Sequence, residues 1–408
     1  MICRHCGADL DLTMADLGTC PPSNSYLAPE KLDAPEKWYP LRVMICQECW
    51  LAQTADFIGR EECFSSTYAY FSSCSTSWVE HAHRYAGSMI GRFELGPASR
   101  VVEVAANDGY LLQHFVARGV PCYGIEPTES TAAAARQKGI EIVGLFFGLA
   151  LARRLVHERG HVDLVAANNV FAHVPDVNDF AAGIHEMLAP SGVATIEFPH
   201  ILQLIRQNFF DTIYHEHFSY LSLHSTRSIL STAGLEIFDI DQLPTHGGSL
   251  RIYARREDGV TRPVSPCVRE FLDREAAAGL TNPQIYKEFP ERVGRVKDGL
   301  LRFLLQVKSE GRSIAAYGAA AKGNTLLNYA GIRGDMLPFV VDRSPGKIGK
   351  YMPGSRIPIH EEARLKAEQP DYVLLLPWNL RNELVEQLGY VRDWGGNFVV
   401  ALPGLEVF

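Results

Sequence analysis

From Ser99 onward the chain alternates short apolar runs with amphipathic stretches, as strands buried on both faces alternate with helices. The runs at 100–105, 122–125, 162–167 and 193–198 read as parallel strands, each ending in a loop of small, polar or proline residues. A helix near Ser225–Ala233, stopped by Gly234, is followed by strands at 235–238 and 249–254. These two read as an antiparallel pair that completes the sheet. A helix over 293–310 opens a second series, with strands at 313–317, 339–342, 372–376 and 398–401. The pattern therefore predicts an α/β protein with two mostly parallel sheets.

At 408 residues the chain is too long for one ordinary core, so two or three domains are expected. Hydrophobic residues at 47% and charged residues at 21% describe a globular protein without bulk disorder. A net charge of −8 and the lack of a cationic run exclude a nucleic-acid binder that works through phosphate contacts. No apolar run is long enough to span a bilayer, and residues 1–6 hold no signal core. The expectation is a cytoplasmic protein that does not engage membranes, with a monomer the default for its assembly.

In that setting the nine cysteines read as thiols and metal ligands. Cys3-x2-Cys6 and Cys46-x2-Cys49 are matched pairs, each able to chelate one ion from a tight turn. Together they predict a closed, structural zinc site; redox pairing or plain buried thiols are the alternatives. The stretch between them holds Pro21, Pro22, Pro29, Pro35 and Pro40 and reads as irregular chain that the metal staples. Cys20, Cys63, Cys74, Cys122 and Cys267 lack a pairing pattern and read as core thiols.

Ligands on such sheets bind beyond the carboxyl ends of the strands. That rule collects the loop Ala106–Gly109, Glu126, the loop from Asn168 to His173, and Phe198–His200. The first loop lacks Gly-x-Gly-x-x-Gly, which disfavours pyrophosphate. Glu126, about twenty residues beyond the first loop, suits a ribose diol. A dinucleotide-dependent oxidoreductase is the structural alternative. Residues 68–78 are rich in hydroxyls and aromatics and read as a linker rather than a cover over a ligand. The chemistry is expected at Tyr214-His215-Glu216-His217, where imidazoles, a phenol and a carboxylate suit acid–base work. In an extended chain Tyr214 and Glu216 would face one way and His215 and His217 the other, unless a turn redirects them. Two core histidines held by local hydrogen bonds are the bland alternative. Gly318–Thr325, opening a helix with Lys322, suits a phosphate, and close packing of helix on strand explains it equally well.

The acidic Glu103, the small-residue loop and Glu126 resemble a class I methyltransferase dependent on S-adenosylmethionine, although Ala105 and Asn107 stand where that class more commonly has glycine. The order of the cysteine pairs, residues 68–78, Asn168–Asp176, Phe198–His200, Tyr214–Tyr220, His246–Arg251 and Tyr317–Asn324 is more specific. Across essentially the whole chain it is similar to the C-methyltransferases that act on nucleotide-linked 4-keto deoxysugars. The resemblance implies a small zinc domain (1–75), a Rossmann-like methyltransferase domain (76–258) and a second Rossmann-like domain (259–408) that holds the nucleotide sugar.

It further implies an enzyme that methylates carbon 3, next to the ketone, through an enolate. His217 would be the base, with Tyr214 as the alternative, and Tyr214 and His173 would be donors to the enolate oxygen. Glu216 would orient a hydroxyl or an imidazole, and Tyr68 would close the site. Glu103, Ala105, Asn107, Gly109, Glu126, Asn168 and Asn169 would meet S-adenosylmethionine. His200, Ser249, Arg251, Lys322, Asn324 and Trp378 would meet the substrate. Methylation at carbon 5, a GDP-linked sugar, an O- or N-methyltransferase, and a non-catalytic nucleotide-binding module stay open at this point.

Overall fold

The computed structural model describes residues 1–55, 57–59 and 71–408. The first sheet is antiparallel, built from β1 (Leu12–Cys20), β2 (Tyr39–Ile45) and β3 (Ala52–Thr54). Two of these strands occupy what reads in sequence as irregular chain. β1 mixes Thr, Asp and Gly with its apolar residues, which hides its alternation; Leu12, Met14, Leu17 and Cys20 are nonetheless buried.

The cysteine pairs sit on two turns of the same design. Gly7 N–H donates to the Cys3 carbonyl and Trp50 N–H to the Cys46 carbonyl, each at 3.0 Å. In both turns the residue after the second cysteine is left-handed, Gly7 at φ 76° and Trp50 at φ 58°. The four sulfurs lie within 4.8 Å of one another. A zinc ion bound at about 2.3 Å to each would need sulfurs roughly 3.8 Å apart, so the set fits a closed tetrahedral site. Gln53 Nε2 donates to Cys3 Sγ at 3.2 Å, the kind of outer bond that orients a metal ligand.

The central sheet comprises β4 (Val101–Val104), β5 (Cys122–Ile125), β6 (Ile142–Val143), β7 (Val162–Asn168) and β8 (Leu188–Pro199). These five pair in parallel in the order β6-β5-β4-β7-β8. The chain leaves β4 toward β6, then returns to place β7 on the other side. The order reverses between β4 and β7, and a crevice opens there at the carboxyl ends. Next comes β9 (Ser219–Tyr220), which pairs with β3 of the first sheet rather than with this one. An antiparallel pair, β10 (Leu235–Leu243) and β11 (Ser249–Arg256), closes the edge with β11 against β8.

The helix Phe289–Ser309 then buries Val293, Val296, Leu300, Leu304 and Val307, the three- and four-residue spacing of one helix face. It leads into β12 (Ile314–Tyr317), β13 (Val340–Val341), β14 (Ile359–His360), β15 (Tyr372–Leu375), β16 (Asn397–Val400) and β17 (Glu406–Val407). All are parallel except β17, in the order β14-β13-β12-β15-β16-β17. The helix Ala321–Ala330 follows β12 closely, because a Cβ on Gly323 would come within 2.8 Å of Leu376. Side chains of the first sheet, of 201–213 and of this last unit share one apolar core. The units are thus packed together rather than strung in line.

One zinc per folded chain is expected by metal analysis. Cys46→Ser should lose the metal and expose the first sheet to proteolysis, because binding free energy at such a site is folding free energy. A folded, reduced preparation without metal would sink the assignment.

Candidate active site

The loop after β4 turns sharply through left-handed backbone at Ala105 (φ 60°), Asn107 (φ 48°) and Gly109 (φ 74°). Asparagine tolerates this region, whereas alanine is strained there by about 1–2 kcal/mol. At Gly109 the glycine is required, since a Cβ would come within 2.3 Å of Ile140. Beyond β5, Glu126 accepts from Asn107 N–H at 2.9 Å and Thr128 N–H at 2.8 Å. Burial raises its pKa and these two bonds oppose the rise. The carboxylate lines the cavity, where it can accept from a ribose hydroxyl.

At the end of β7, Asn168 Oδ1 and both side-chain polar atoms of Asn169 are shut off from solvent without a partner among the described residues. A bare buried amide costs about 1–3 kcal/mol, so these atoms point to a bound ligand. Phe146 and Phe147 add an apolar wall beside Pro127 and Val170. They were not singled out in the sequence, although an apolar pair just past a strand end was a usable signal. Glu103 lies off the cavity wall; its carboxyl is buried without a partner and its pKa is raised well above the ordinary range, chiefly by burial.

Residues 71–78 lie against the ligand loop instead of merely linking domains. Ser72 N–H donates to Asn107 Oδ1 at 2.9 Å, Ser73 bonds Asp108, and Ser72 and Trp78 line the cavity. Tyr68 lies outside the described residues.

The cavity, about 410 Å³, runs from Glu126 past the histidine segment to the last unit. A tight turn, His217 N–H to the Tyr214 carbonyl at 2.9 Å, replaces the alternation of an extended chain. It brings the Tyr214 and His217 rings to 4.0 Å and leaves Tyr214, Glu216 and His217 on the cavity wall. His215 turns away onto Tyr39 and reaches the Pro40 carbonyl at 3.2 Å. His217 Nδ1 donates to the Thr212 carbonyl at 2.7 Å, and His173 Nδ1 to the Glu216 carbonyl at 2.9 Å. The two rings are 4.7 Å apart. Burial pushes His173 down to about 4 and His217 well below the imidazole range, with His173 and Lys322 adding to the latter.

Both rings are therefore neutral, with the Nδ1 proton committed to a carbonyl and a lone pair on Nε2. His173 in this state accepts a hydrogen bond at Nε2, which does not fit the expected role of an enolate donor. Glu216 accepts from Asn24 Nδ2 at 2.6 Å. His246, also unforeseen, lines the cavity from a left-handed position (φ 54°), 5.0 Å from the Trp78 ring.

At the far end Lys322 Nζ donates to Asn379 Oδ1 at 3.0 Å, and burial lowers its pKa to about 8. Lys347 joins it, with Nζ donating to the Ala319 carbonyl at 2.9 Å. The other expected substrate contacts are engaged elsewhere. Arg251 forms a buried ion pair with Glu197 at 2.8 Å, and Ser249 Oγ donates to the Thr245 carbonyl at 2.9 Å. Asn324 Nδ2 donates to the Ser23 carbonyl at 2.5 Å. Trp378 stacks on Phe209 at 3.8 Å and donates to Asp211 at 2.7 Å. None of these four lines the cavity. His200 does, but its Nε2 is bonded to Glu275 at 2.7 Å.

A doubly wound sheet with a buried carboxylate past its second strand and a small-residue loop at its switch point accompanies a methyltransferase family match, and the chain is an S-adenosylmethionine-dependent methyltransferase. More particularly, the chain belongs to the C-methyltransferase family. Family models match in order: "Putative zinc binding domain" at 3–64, "Methyltransferase domain" at 78–240 and "C-methyltransferase C-terminal domain" at 244–403. The C-methyltransferase NovU of Streptomyces niveus is 32% identical over 401 residues, 98% of this chain and 95% of the relative. Solved structures with a similar central fold are more distant. Magnesium protoporphyrin IX methyltransferase of Synechocystis PCC 6803 with bound SAM is 16% identical, covering 44% of this chain and 81% of that one (TM-score 0.33). Protein PH0226 of Pyrococcus horikoshii OT3 is 13% identical, covering 46% and 95% (TM-score 0.37).

Glu126→Ala should weaken S-adenosylmethionine by about 1.5–3 kcal/mol, the range for a hydrogen bond to a charged group, as read by calorimetry. Affinity for a substrate bound at the Lys322 end should not change. Equal loss at both ends would mean that Glu126 holds the fold instead.

Proposed function

We propose that the enzyme methylates carbon 3 of a nucleotide-linked 4-keto deoxysugar. The observation that supports this reading is the single cavity joining Glu126, the His173–Tyr214–His217 cluster, and Lys322 with Lys347. Its order suits a cofactor, a reacting sugar and a diphosphate placed end to end. Two ammonium groups beside a helix start provide charge for the diphosphate.

The ketone acidifies the proton on the neighbouring carbon. His217 Nε2 takes that proton as a neutral base, and the electron pair moves onto the ketone oxygen. Tyr214 donates to that oxygen as charge develops there. Glu216, steadied by Asn24, holds a sugar hydroxyl. Bound S-adenosylmethionine would supply the methyl group to the enolate carbon and leave as S-adenosylhomocysteine, with the ketone re-formed. The apolar wall limits water, which keeps the base dry and its lone pair available.

Exchange of the acidic proton separates these roles. With S-adenosylhomocysteine and a nucleotide 4-keto sugar in deuterium oxide, wild type should exchange the carbon 3 proton above the uncatalysed background. His217→Asn should bind both ligands yet lose exchange and methylation together. Tyr214→Phe should keep exchange but slow it by about a hundred- to thousandfold, as for removal of one oxyanion donor. The reverse pattern would exchange the two assignments, and a product methylated on oxygen or nitrogen by NMR would end the proposal.

The pH profile offers a second check. His217 is active as the free base, and burial holds its pKa well below the ordinary 6.5. That form is lost only as pH falls through the lowered value. The acidic limb of kcat/KM should therefore lie below pH 6.5, and a limb at or above 6.5 would contradict a buried neutral base.

A further inference from the structure

The two residues between the first pair of cysteines are half-buried, whereas Gln47 and Glu48, their counterparts in the second turn, are exposed. His5 bonds Asn178 at 2.8 Å and Ser228 at 2.9 Å, docking the first turn on the central unit. Arg4 does more than dock. Its Nη2 donates to the Thr54 carbonyl at 2.7 Å and its Nη1 to the Pro175 carbonyl at 3.3 Å. Its Nε and backbone N–H both reach Gln53 Oε1, at 3.3 and 2.9 Å. The guanidinium also lies 5.4 Å over the Phe218 ring.

Three of the Arg4 contacts, those to Pro175, Thr54 and Phe218, lie close to a histidine on the cavity wall. Pro175 belongs to the loop that carries His173. Phe218 follows His217, and Thr54 grips that same segment: its Oγ1 donates to the His217 carbonyl and its N–H to the Phe218 carbonyl, both at 3.1 Å. A planar fork with donors fixed in direction can tie two backbones at a set separation, which an ammonium cannot. From this geometry we infer that Arg4 is a positioning residue, through which the cysteine turn sets the approach of His173 to His217. The first unit thereby serves the chemistry as well as the fold. The inference rests on the reading of His217 as the base.

The test is steady-state kinetics with metal analysis on the full-length enzyme. Arg4→Ala should lower kcat by about a hundredfold, the loss associated with a misplacement of about 1 Å. KM for both substrates should stay put, and one zinc per chain should remain. Arg4→Lys keeps the charge but cannot span both carbonyls, so its kcat should stay low as well. If Arg4→Ala does not fold, Arg4→Lys decides. Wild-type kcat in a folded variant, or a fall that tracks loss of zinc, would overturn the inference. His217→Asn, run in parallel, separates the two claims. If it turns over normally, the active-site reading fails and this inference with it. If it is inactive while the Arg4 variants are normal, only the inference fails.

Discussion

The segment that carries Tyr214 and His217 depends on backbone hydrogen bonds from other units as well as from its own. Residues 214–218 have no regular structure, so their carbonyls and N–H groups need partners elsewhere. Thr54 and the β3–β9 pairing supply them from the first sheet. On the other side Thr325 Oγ1, from the helix after β12, donates to the Ile213 carbonyl at 2.8 Å. A turn held from two sides can carry two rings at 4.0 Å without a helix or strand of its own. The cysteine turns matter for the same reason, since they brace the edge that β9 joins.

Desolvation is the second organising force. His173, His217 and His246 are held neutral by burial, while Lys322, half-buried, is lowered only to about 8. Asp211 is raised to about 6 by burial, with Lys322 and the Trp378 indole opposing. The site thus combines neutral acceptors with two half-buried ammonium groups at the same cavity. Neutral burial of these histidines also links stability to pH. Their contribution is present above the unfolded value of 6.5 and is lost as pH falls toward the lowered folded values.

The joint between the last two units is apolar and tightly packed. A Cβ on Gly247 would come within 2.5 Å of Phe209 and 3.0 Å of Trp378. That packing explains Gly247, whereas a Cβ on Gly248, which reaches the cavity, would come within 2.7 Å of Gln203. Arg251, two residues beyond Ser249, forms an ion pair with buried Glu197 at 2.8 Å, and His81 Nε2 bonds the same carboxylate at 2.9 Å. A cation already spent on a buried carboxylate has little left for a phosphate.

The sequence by itself determined the two sheets, the cysteine cluster, the place of Glu126 on the cavity wall and the segment that carries His217. Each is a local pattern: apolar runs of strand length, cysteines two apart, an acid just past a strand. Ala105 and Asn107 were legible as departures from glycine, but only the backbone angles show that the left-handed turn is kept regardless. The tertiary structure decided which polar residues face the cavity. Arg251, Ser249, Asn324 and Trp378 carry suitable groups, yet partners distant in sequence or packing hold them elsewhere. Lys347, His246, Phe146 and Asn24 reach the wall from loops whose directions no periodicity encodes. The sorting of His217 from His215 has the same origin. One hydrogen-bonded turn outweighs the alternation of an extended chain, because three separate units compete for the same short segment of backbone.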